Sequence, residues 1–570
     1  MNADQLLALY GRVAEATDAI ARLRRFVLDL AVRGKLVEQD LADESALELL
    51  KRLKIAKISA YLCEKLRARL PITKLGRKDL KFDFPDTWEL ASFDDLFVIV
   101  SGVTKGQKIP ANEAIEVPYL RVANVQRGHL DLTVIKTITV RKAETERYAL
   151  RNGDILMTEG GDWDKLGRAA IWHQEVASCI HQNHIFRVRP PSSDILPEWV
   201  VTYVNSQLGR TFFEDAAKQT TNLASINMTQ LRACPIPLPP IAEQHRIVAK
   251  VDELMALCDQ LEAAHTAREA TRDRLTTASL TRLTAPDTDA ETFRSHTHFA
   301  LDALPALTTR PDQIKALRQT IINLAVRGKL VEQDAADQPV QVKVPSLKLH
   351  PEILPSSWHY VRLQHLLAED TRNGYSRRPD DAVDGVPILR ISAGTVRQDG
   401  IVAEEEHKLI SGIDVAARIQ YGLAPGDLLA CRFNGNKFFV GRLTLFKNYL
   451  GLNPIYPDKL IRVRVSSTLA LPEFVRLAGE SDLVRNALEE SCATTVGNWG
   501  ISASNLKEVP FPLPPLAEQH RIVAKVDALM ALCDRLETSL ATADTTRRRL
   551  LEALLHEALE PAAGALEAAE

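Results

Sequence analysis

Two short stretches combine residue types that could do chemistry. His-Gln-Asn-His at 181–184 sets two imidazoles beside two amides, and Glu-Gly-Gly-Asp-Trp-Asp-Lys at 159–165 gathers carboxylates around a lysine. Histidines and carboxylates hold the metal ion in metal-dependent nucleases. Ligands of that kind come from separate strands and helices, whereas these residues are contiguous in the chain. We therefore expect a polar loop or strand edge that contacts a ligand, and no metal site.

The motifs of cofactor-dependent enzymes are missing or incomplete. The sequence has no Gly-x-x-x-x-Gly-Lys-Ser/Thr loop for ATP, and no glycine fingerprint follows a strand as a dinucleotide or S-adenosylmethionine loop requires. Asn-Pro-Ile-Tyr at 453–456 is similar to the Asn-Pro-Pro-aromatic motif of amino-methyltransferases, but its third residue is isoleucine. We interpret it as a turn before a strand. Catalysis by this chain alone is not expected.

Composition narrows the class of protein. A chain of 570 residues has the length of about three to four domains. The net charge of −3 offers no global attraction to a polyanion, so any nucleic-acid contact must come from a local cluster of Lys and Arg. The N-terminus lacks a signal-peptide layout, no run of about 18 apolar residues occurs, and the seven cysteines form no Cys-x-x-Cys pair. These features favour a cytoplasmic protein with reduced thiols and no membrane contact.

The chain is built as a duplication. The eleven residues at 30–40 recur unchanged at 324–334, and residues 237–262 match 512–537 at 23 of 26 positions. Between these segments the two halves resemble each other weakly but in order, as in Val-Pro-Tyr-Leu-Arg and Val-Pro-Ile-Leu-Arg. Segments that perform the same function twice should have similar sequences. Segments that perform two versions of one function should differ in sequence. We therefore expect a shared frame that carries two divergent modules.

Long helices are predicted for the duplicated segments. Prolines suit the start of a helix, and the residues after them repeat at heptad spacing. The heptad positions are Ile247, Val251, Leu254 and Leu261 in the first copy and Ile522, Val526, Leu529 and Leu536 in the second. The pattern predicts helices of about 40 residues that pair as an antiparallel coiled coil, with an ordinary helical-bundle core as the alternative. Gly34 and Gly328 should end the preceding helices as C-terminal caps.

The predicted fold class is α+β. Two tandem α+β modules are separated and joined by long antiparallel coiled-coil helices, with an internal pseudo-two-fold repeat. Residues 41–75 form a charged amphipathic helix without a counterpart, 284–311 form a linker, and the acidic end of the chain is solvated. The predicted domains are a helical region (1–40), a helical insertion and linker (41–80), the first module (81–236), a central coiled-coil region with linker (237–340), the second module (341–511) and a C-terminal coiled-coil helix with acidic tail (512–570).

These motifs resemble those of a known family, the specificity subunits of type I restriction–modification systems. The most specific element is the Pro-Leu-Pro-Pro-x-Ala-Glu-Gln-x-x-Ile-Val helix start, present at 237–248 and 512–523. The segments at 23–37 and 317–331 are similar to the family's other repeated region. Pro-Ile-Leu-Arg-Ile-Ser, Gly-Asp-Leu-Leu-Ala-Cys-Arg-Phe-Asn-Gly and Tyr-Pro-Asp-Lys-Leu-Ile-Arg-Val-Arg-Val resemble one class of target recognition domain. The helix at 41–75 departs from the common pattern, which leaves the docking of the N-terminal region open.

The resemblance implies a function. Each module would be a target recognition domain that reads one half of a split, asymmetric sequence in double-stranded DNA, and the paired helices would fix the spacing. Two methyltransferase subunits with S-adenosylmethionine would dock on the repeated surfaces and flip one adenine in each half-site. Two restriction–translocase subunits that use ATP and Mg²⁺ would complete the complex. The chain itself would bind no cofactor and catalyse nothing.

Base readout requires donors and acceptors at loop tips, with Arg suited to guanine and Asn or Gln to adenine. The candidates in the first module are Thr104, Lys105, Lys108, Arg121, Asn124, Gln126, Trp163, Lys165, His181, Asn183, Thr221 and Asn222. The candidates in the second module are Arg372, Asn373, Tyr375, Arg377, Arg378, Arg390, Arg432, Asn434, Asn436, Lys437 and Asn498.

Two alternatives remain open at this point. A coiled-coil scaffold that grips only proteins would lack loops with clustered Arg and Asn, and the loops here argue against it. A specificity subunit of a stand-alone adenine methyltransferase, without a nuclease, would have the same sequence features. The sequence does not separate this second alternative from restriction.

Overall fold

The structure is a computed structural model. It describes residues 8, 10–11, 16, 18–66, 69–70, 72, 76–77, 80, 82–106, 108–161, 163–219, 224–285, 289–341, 347, 354–380, 383–395, 397, 399–495 and 497–559. The chain divides into two compact units. Unit 1 comprises residues 1–267 and 544–570, and unit 2 comprises residues 268–543.

Unit 1 contains an α+β module between helical segments. Its helices are α1 (Ala19–Val32), α2 (Ala46–Cys63), α3 (Phe93–Leu96), α4 (Lys142–Tyr148), α5 (Pro197–Asn205), α6 (Gln207–Ala216), α7 (Met228–Arg232) and the first part of α8 (Ile241–Thr284). Its strands are β1 (Glu89–Ser92), β2 (Val98–Ser101), β3 (Ala114–Leu120), β4 (Lys136–Arg141), β5 (Asp154–Thr158), β6 (Gly160–Gly161), β7 (Ala169–Trp172), β8 (Ile180–His181), β9 (Ile185–Arg189), β10 (Lys218–Gln219), β11 (Ala224–Ser225) and β12 (Pro235–Leu238).

Unit 2 repeats this arrangement. Its helices are the rest of α8, α9 (Ala290–Asp302), α10 (Leu304–Leu307), α11 (Pro311–Val326), α12 (Val415–Tyr421), α13 (Pro472–Gly479), α14 (Asp482–Glu490), α15 (Ala503–Glu508) and the first part of α16 (Leu516–Leu559). Its strands are β13 (His359–Arg362), β14 (Leu367–Asn373), β15 (Val386–Leu389), β16 (His407–Ile410), β17 (Leu428–Cys431), β18 (Phe433–Asn434), β19 (Leu443–Leu445), β20 (Leu460–Val465), β21 (Ala493–Thr495), β22 (Asn498–Gly500) and β23 (Pro510–Leu513).

Three of the sheets have the same topology in both modules, whereas the three-stranded sheet β4-β3-β8 of unit 1 corresponds to the two-stranded sheet β15-β16 of unit 2. The main sheet of unit 1 has the order β2-β9-β5-β7, and that of unit 2 has the corresponding order β14-β20-β17-β19. A two-stranded sheet joins the start of each module to its end, as β1-β12 and β13-β23. A small three-stranded sheet occurs in each, as β10-β11-β6 and β21-β22-β18. Weak but ordered sequence similarity thus reflects one fold used twice, as the sequence predicts.

A buried tryptophan fixes the start of each long helix. In unit 1 the Trp88 indole Nε1–H donates to the Glu243 carboxylate at 2.9 Å, and the Gln39 amide donates to the other oxygen of the same carboxylate. In unit 2 the Trp358 indole Nε1–H donates to the Glu518 carboxylate at 2.9 Å, and the Gln333 amide donates to its other oxygen at 2.6 Å. These two sets of three residues are the helix-start frames. Burial raises the pKa of both glutamates, against the effect of their hydrogen bonds.

The residues around each frame are also used twice. The Gln244 amide oxygen accepts from the Leu196 backbone N–H at 3.0 Å, and Gln519 accepts from Leu471 at 2.8 Å. Each amide thereby ties the start of a long helix to the start of a module helix, α5 or α13. The identical Glu-Gln pairs in the two helix starts therefore have an internal structural role.

The glycine of each repeated eleven-residue segment ends a helix in the predicted way. Gly34 and Gly328 both have φ of +66°, in the left-handed region that favours glycine. An added Cβ would also lie 2.3 Å from a ring carbon of Pro85 at Gly34, and 2.4 Å from one of Pro355 at Gly328. The turn after α1 and α11 therefore requires glycine for conformation and for space.

The predicted long helices are confirmed. Both α8 and α16 have 44 residues, and α8 ends two residues before Pro286. The first part of α8 belongs to unit 1 and its last part to unit 2, whereas α16 runs from unit 2 into unit 1. Ile247, Val251 and Leu254 are buried in the core of unit 1, and Ile522 and Val526 in that of unit 2. The remaining heptad residues, Leu261, Leu529 and Leu536, are half-buried.

One expectation about a connecting segment is wrong, and the helix before the acidic tail is longer than its composition indicates. Part of the predicted linker is helical as α9, because Asp289 caps its first turn and Ala300 packs with Leu280 and Leu324. The end of the chain is helical up to Leu559, and Leu551 is buried against Ala16 and Ala19 within unit 1. Apolar residues of both segments pack against residues that are distant in the sequence, and local composition does not predict these contacts. Residues 560–570, the acidic tail, lie outside the described residues.

The predicted insertion helix exists as α2 and completes the first module. Glu64, which follows α2, accepts from the Arg187 guanidinium at 2.7 Å and also pairs with Arg189. In unit 2 the corresponding arginines, Arg462 and Arg464, pair with Glu369 at 2.7 and 2.6 Å. Glu369 lies on strand β14 itself. The insertion thus supplies unit 1 with the carboxylate that the edge strand supplies in unit 2.

Three further observations concern the described residues. None of their helices is both long and apolar enough to cross a lipid bilayer. All seven cysteines are free thiols. Within the described ranges, no group of three or more His, Cys, Asp and Glu side chains is arranged to hold a metal ion.

The Glu64→Gln substitution tests the role of the insertion. The substitution removes the carboxylate charge that pairs with Arg187 and Arg189. Because Arg187 is only 1% exposed, we expect the first module to lose about 3 kcal/mol of stability. Faster hydrogen–deuterium exchange of β2 and β9 would report the loss. The control is Glu48→Gln, because Glu48 forms an exposed pair with Lys51 on α2. Equal protection in both variants would contradict the proposed role.

Candidate nucleic-acid interface

Four loop segments meet at one edge of the first module, joined by backbone hydrogen bonds. Val103 N–H donates to His181 O at 2.9 Å, and Asn183 N–H donates to Val103 O at 3.0 Å. Glu159 N–H donates to His184 O at 3.0 Å, and Ile226 N–H donates to Glu159 O at 2.9 Å. Loop cluster 1 is defined as the described residues of 102–108, 159–165, 181–184 and 218–226. The sequence predicts these loops as ligand-binding, and the fold brings them together.

The second module builds the same cluster with the same four bonds. Tyr375 N–H donates to Tyr456 O at 2.8 Å, and Asp458 N–H donates to Tyr375 O at 3.0 Å. Arg432 N–H donates to Lys459 O at 2.8 Å, and Ile501 N–H donates to Arg432 O at 3.0 Å. Loop cluster 2 is defined as the described residues of 372–378, 432–437, 456–459 and 494–501. One backbone design therefore carries two different sets of side chains.

A glycine permits the close approach of two loops in each cluster. A Cβ added to Gly102 would lie 2.0 Å from His181 O, and one added to Gly374 would lie 2.2 Å from Pro457 O. Both distances are far inside van der Waals contact, so no other residue fits without moving the neighbouring loop. These glycines position the loops and contribute no chemistry of their own.

Most candidate side chains face outward from the two clusters. On loop cluster 1 the exposed or half-buried candidates are Thr104, Lys105, Lys108, Trp163, Lys165 and Asn183. On loop cluster 2 they are Arg372, Asn373, Tyr375, Arg377, Arg378, Arg432, Asn434, Asn436, Lys437 and Asn498. Thr221 and Asn222 lie outside the described residues. Each cluster thus presents hydrogen-bond donors and cations at one place.

Aromatic rings hold several of these cations. The Lys105 ammonium lies 5.0 Å from the centroid of the Tyr119 ring, and Lys437 lies 4.8 Å from that of Trp499. The Arg432 guanidinium lies 4.8 Å from the centroid of Phe433. Contacts of this kind restrict flexible side chains and keep their charge. Trp163, 45% exposed, gives loop cluster 1 an outward-facing ring as well.

Two of the predicted DNA-contacting residues, His181 and Asn124, are buried. His181 is fully buried, with its ring nitrogens 3.3 Å from Tyr148 O and 3.4 Å from Val100 O. Burial lowers its pKa to about 3, with the charge of Arg187 acting in the same direction. Asn124 is 3% exposed and binds the Asp131 and Val134 carbonyls of its own loop. Both residues shape loops, because their polar atoms are used by the backbone.

The remaining candidates lie on neighbouring loops. Gln126 accepts from the Arg168 guanidinium at 2.7 Å, and Arg121 donates to Val134 O at 3.3 Å. Arg390 is exposed and lies 3.7 Å from the Glu406 carboxylate. None of the three takes part in the backbone bonds that define the clusters.

Sequence reasoning missed Lys459, Phe433, Glu159 and His184 as single positions. All four residues lie in the sequence motifs of the two modules. The importance of Lys459 and His184 appears only when the two modules are aligned with each other. The available signal is the alignment of Ile-Phe-Arg-Val-Arg with Leu-Ile-Arg-Val-Arg, which places both residues just before the same strand. Strands β9 and β20 confirm this correspondence.

Known proteins are similar to this chain in both sequence and fold. Each of the two α+β modules presents one cluster of loops with hydrogen-bond donors and cations. A family model described as the type I restriction modification DNA specificity domain matches residues 85–270 and 486–542. Over nearly its whole length the chain is similar to the specificity subunits of type I restriction–modification systems.

The relatives extend over most of the chain. The EcoEI specificity subunit of Escherichia coli is 27% identical over 566 residues, which cover 95% of this chain and 94% of that protein. The EcoKI specificity subunit of Escherichia coli strain K12 is 27% identical over 479 residues, covering 83% and 89%. A solved chain from a study of assembly and conformational transition in a type I system has a TM-score of 0.51 at 18% identity, covering 84% of this chain and 99% of its own length. At 18% identity, the similarity to this solved chain concerns the fold alone.

The neutral buried His181 predicts a pH dependence. Its pKa falls from an ordinary 6.5 to about 3 in the folded state, so the unfolded chain binds a proton that the folded chain does not. Stability is complete above about pH 6.5 and decreases by about 1.4 kcal/mol per pH unit as the pH falls toward 3. We expect His181→Gln to reduce the loss between pH 6.5 and 5 by about 2 kcal/mol.

Hydrogen exchange of β8 and β9 against pH measures this effect. Unit 2 is the internal control, because Tyr456 occupies the position of His181 there and the substitution should leave its exchange unchanged. A variant with the pH dependence of the wild type would show that His181 is not the titrating group.

Proposed function

We propose that this specificity subunit reads a bipartite, asymmetric target in double-stranded DNA. Loop cluster 1 takes one half-site and loop cluster 2 takes the other. The single observation that carries the proposal is the set of four backbone hydrogen bonds found in both clusters around different side chains. A common backbone with different donors and acceptors is what two different base sequences require.

We assign the target recognition domains to residues 81–236 and 341–511. The segments 1–40, 237–340 and 512–570 supply the repeated frame, and 41–80 supports the first domain. The two 44-residue helices are the elements suited to fix the spacer between the half-sites, because each is continuous from one unit into the other. The free thiols are in keeping with a cytoplasmic location.

The repeated frame is the proposed docking surface for two methyltransferase subunits. An open groove of about 570 Å³ in unit 2 is lined in part by Leu330, Gln333, Arg521 and Lys525. The first copy has the same residue types at the four corresponding positions: Leu36, Gln39, Arg246 and Lys250. A surface repeated with the same side chains suits two copies of one partner.

The partners then supply the chemistry. In this proposal S-adenosylmethionine is bound by the methyltransferase subunits, which methylate one adenine in each half-site. ATP and Mg²⁺ are used by two restriction–translocase subunits. The specificity subunit contributes position and sequence choice.

Gel shifts on methylation-mapped DNA test the proposal. The chain co-purified with its methyltransferase should bind the mapped target far more tightly than a scrambled DNA of equal length and salt. Equal binding to both would favour the protein-only scaffold.

Arg432→Ala separates the two half-sites. Arg432 lies on loop cluster 2, so we expect relaxed base preference in one half-site, by about tenfold at a single position, and an unchanged profile in the other. Methylation of a randomised target library measures both profiles in one experiment. The control is Arg362→Ala, because Arg362 pairs with Glu508 outside the cluster. An equal loss in both half-sites would contradict the assignment of one cluster to each.

The repeated groove predicts the stoichiometry. We expect two methyltransferase subunits per chain, measured as the mass of the purified complex by light scattering. Charge reversal at Lys525 alone should yield complexes with one methyltransferase, because the Lys250 surface of unit 1 remains intact. Loss of both subunits from this variant would show that the surfaces do not act separately.

A further inference from the structure

The two loop clusters share one position at which their charges are opposite. Glu159 and His184 face each other in loop cluster 1, and Arg432 and Lys459 occupy the corresponding places in loop cluster 2. The correspondence rests on the bonds Glu159 N–H to His184 O and Arg432 N–H to Lys459 O, at 3.0 and 2.8 Å. These two pairs are called the paired position of each cluster.

In loop cluster 1 the paired position is an acceptor. The His184 Nδ1 lies 2.7 Å from Glu159 Oε2, and the two side chains are 56% and 30% exposed. A carboxylate has about four lone-pair sites, so it keeps acceptor capacity beyond this contact. The histidine holds the carboxylate at the surface of the cluster.

In loop cluster 2 the paired position is a double donor. Lys459 is 45% exposed, and its ammonium lies 3.9 Å from the Asp458 carboxylate and 5.1 Å from the centroid of the Phe433 ring. Arg432 lies 4.8 Å from the same ring and donates one hydrogen bond, to Asp458 O at 3.3 Å. Phe433 itself packs over Gly500, where an added Cβ would lie 2.5 Å from the ring. One immobilised ring therefore orients two cations.

The fold does not need these charges. The backbone bonds close the loops in both clusters, and the opposite charges at one position show that either sign is compatible with the same loop geometry. Side chains that are exposed, oriented and free to differ between modules are suited to choosing a ligand.

We infer that the paired position sets the base class that each module reads. The Glu159–His184 pair recognises the exocyclic amino group of a cytosine or adenine in the major groove, and the Arg432–Lys459 pair recognises the acceptor edge of a guanine. The chemistry follows from the grooves of DNA, because carboxylates accept from base amino groups and Arg or Lys donate to guanine O6 and N7. This inference rests on the proposed function.

Base-resolved methylation profiles test the inference with the complete complex of chain and methyltransferase. The variants are Glu159→Gln and Lys459→Gln. Matched controls are Glu116→Gln, an exposed carboxylate on β3, and Lys447→Gln, an exposed lysine between β19 and β20. Glu159→Asp is a second variant that keeps the acceptor and should keep the base class with weaker preference.

We expect Glu159→Gln to lose about tenfold in discrimination for cytosine or adenine at one position of one half-site. Lys459→Gln should lose a similar factor for guanine at one position of the other half-site, and the library shows which amino base is read. Unchanged profiles would overturn the inference. A uniform loss for all bases with a shallower salt dependence would also overturn it, since that result indicates a phosphate contact. A flat wild-type profile would instead refute the proposed function itself.

Discussion

The hydrogen bond from a buried indole to the carboxylate at the start of each long helix is the contact on which the architecture depends. Trp88 and Trp358 are 1% and 4% exposed, so their N–H groups need a partner inside the protein. Glu243 and Glu518 supply it, and each also binds the glutamine of the repeated eleven-residue segment. Three segments distant in sequence thereby meet at one carboxylate in each unit. Without that meeting point, neither module would have a fixed attachment to its helix.

This contact explains why the frames are nearly identical while the modules differ. The frame residues are bound by one another, so a change in one leaves a buried polar group without its partner in either unit. The loop clusters follow another constraint, because their geometry comes from backbone bonds that allow different side chains outside the close contacts at Gly102 and Gly374. Glu159 and Arg432 occupy one backbone position with opposite charge for this reason. Divergence is therefore possible at the loops and costly at the frame.

The insertion α2 shows that the two units pair corresponding arginines with carboxylates from different positions in the fold. Two buried or half-buried arginines on the strand before α5, and on its counterpart in unit 2, need a carboxylate. Unit 1 obtains it from Glu64, after the inserted helix, and unit 2 from Glu369 on an edge strand. Val98 occupies the position of Glu369 in unit 1, as its pairing with Arg189 shows. The insertion and this valine are thus two parts of one difference between the modules.

Sequence alone determined the duplicated plan, the α+β class, the long helices and the loops that carry cations. These features depend on local signals: heptad spacing, proline and glycine at helix ends, and repeated motifs. Only the tertiary structure decided that α9 is a helix, that His181 and Asn124 face inward, and that Lys459 stands opposite Arg432. Burial and side-chain pairing depend on residues far apart in the chain, and no local pattern specifies them. The eleven repeated residues show both kinds of information, since Gly34 is readable as a helix end, whereas the role of Gln39 appears only when Glu243 is beside it.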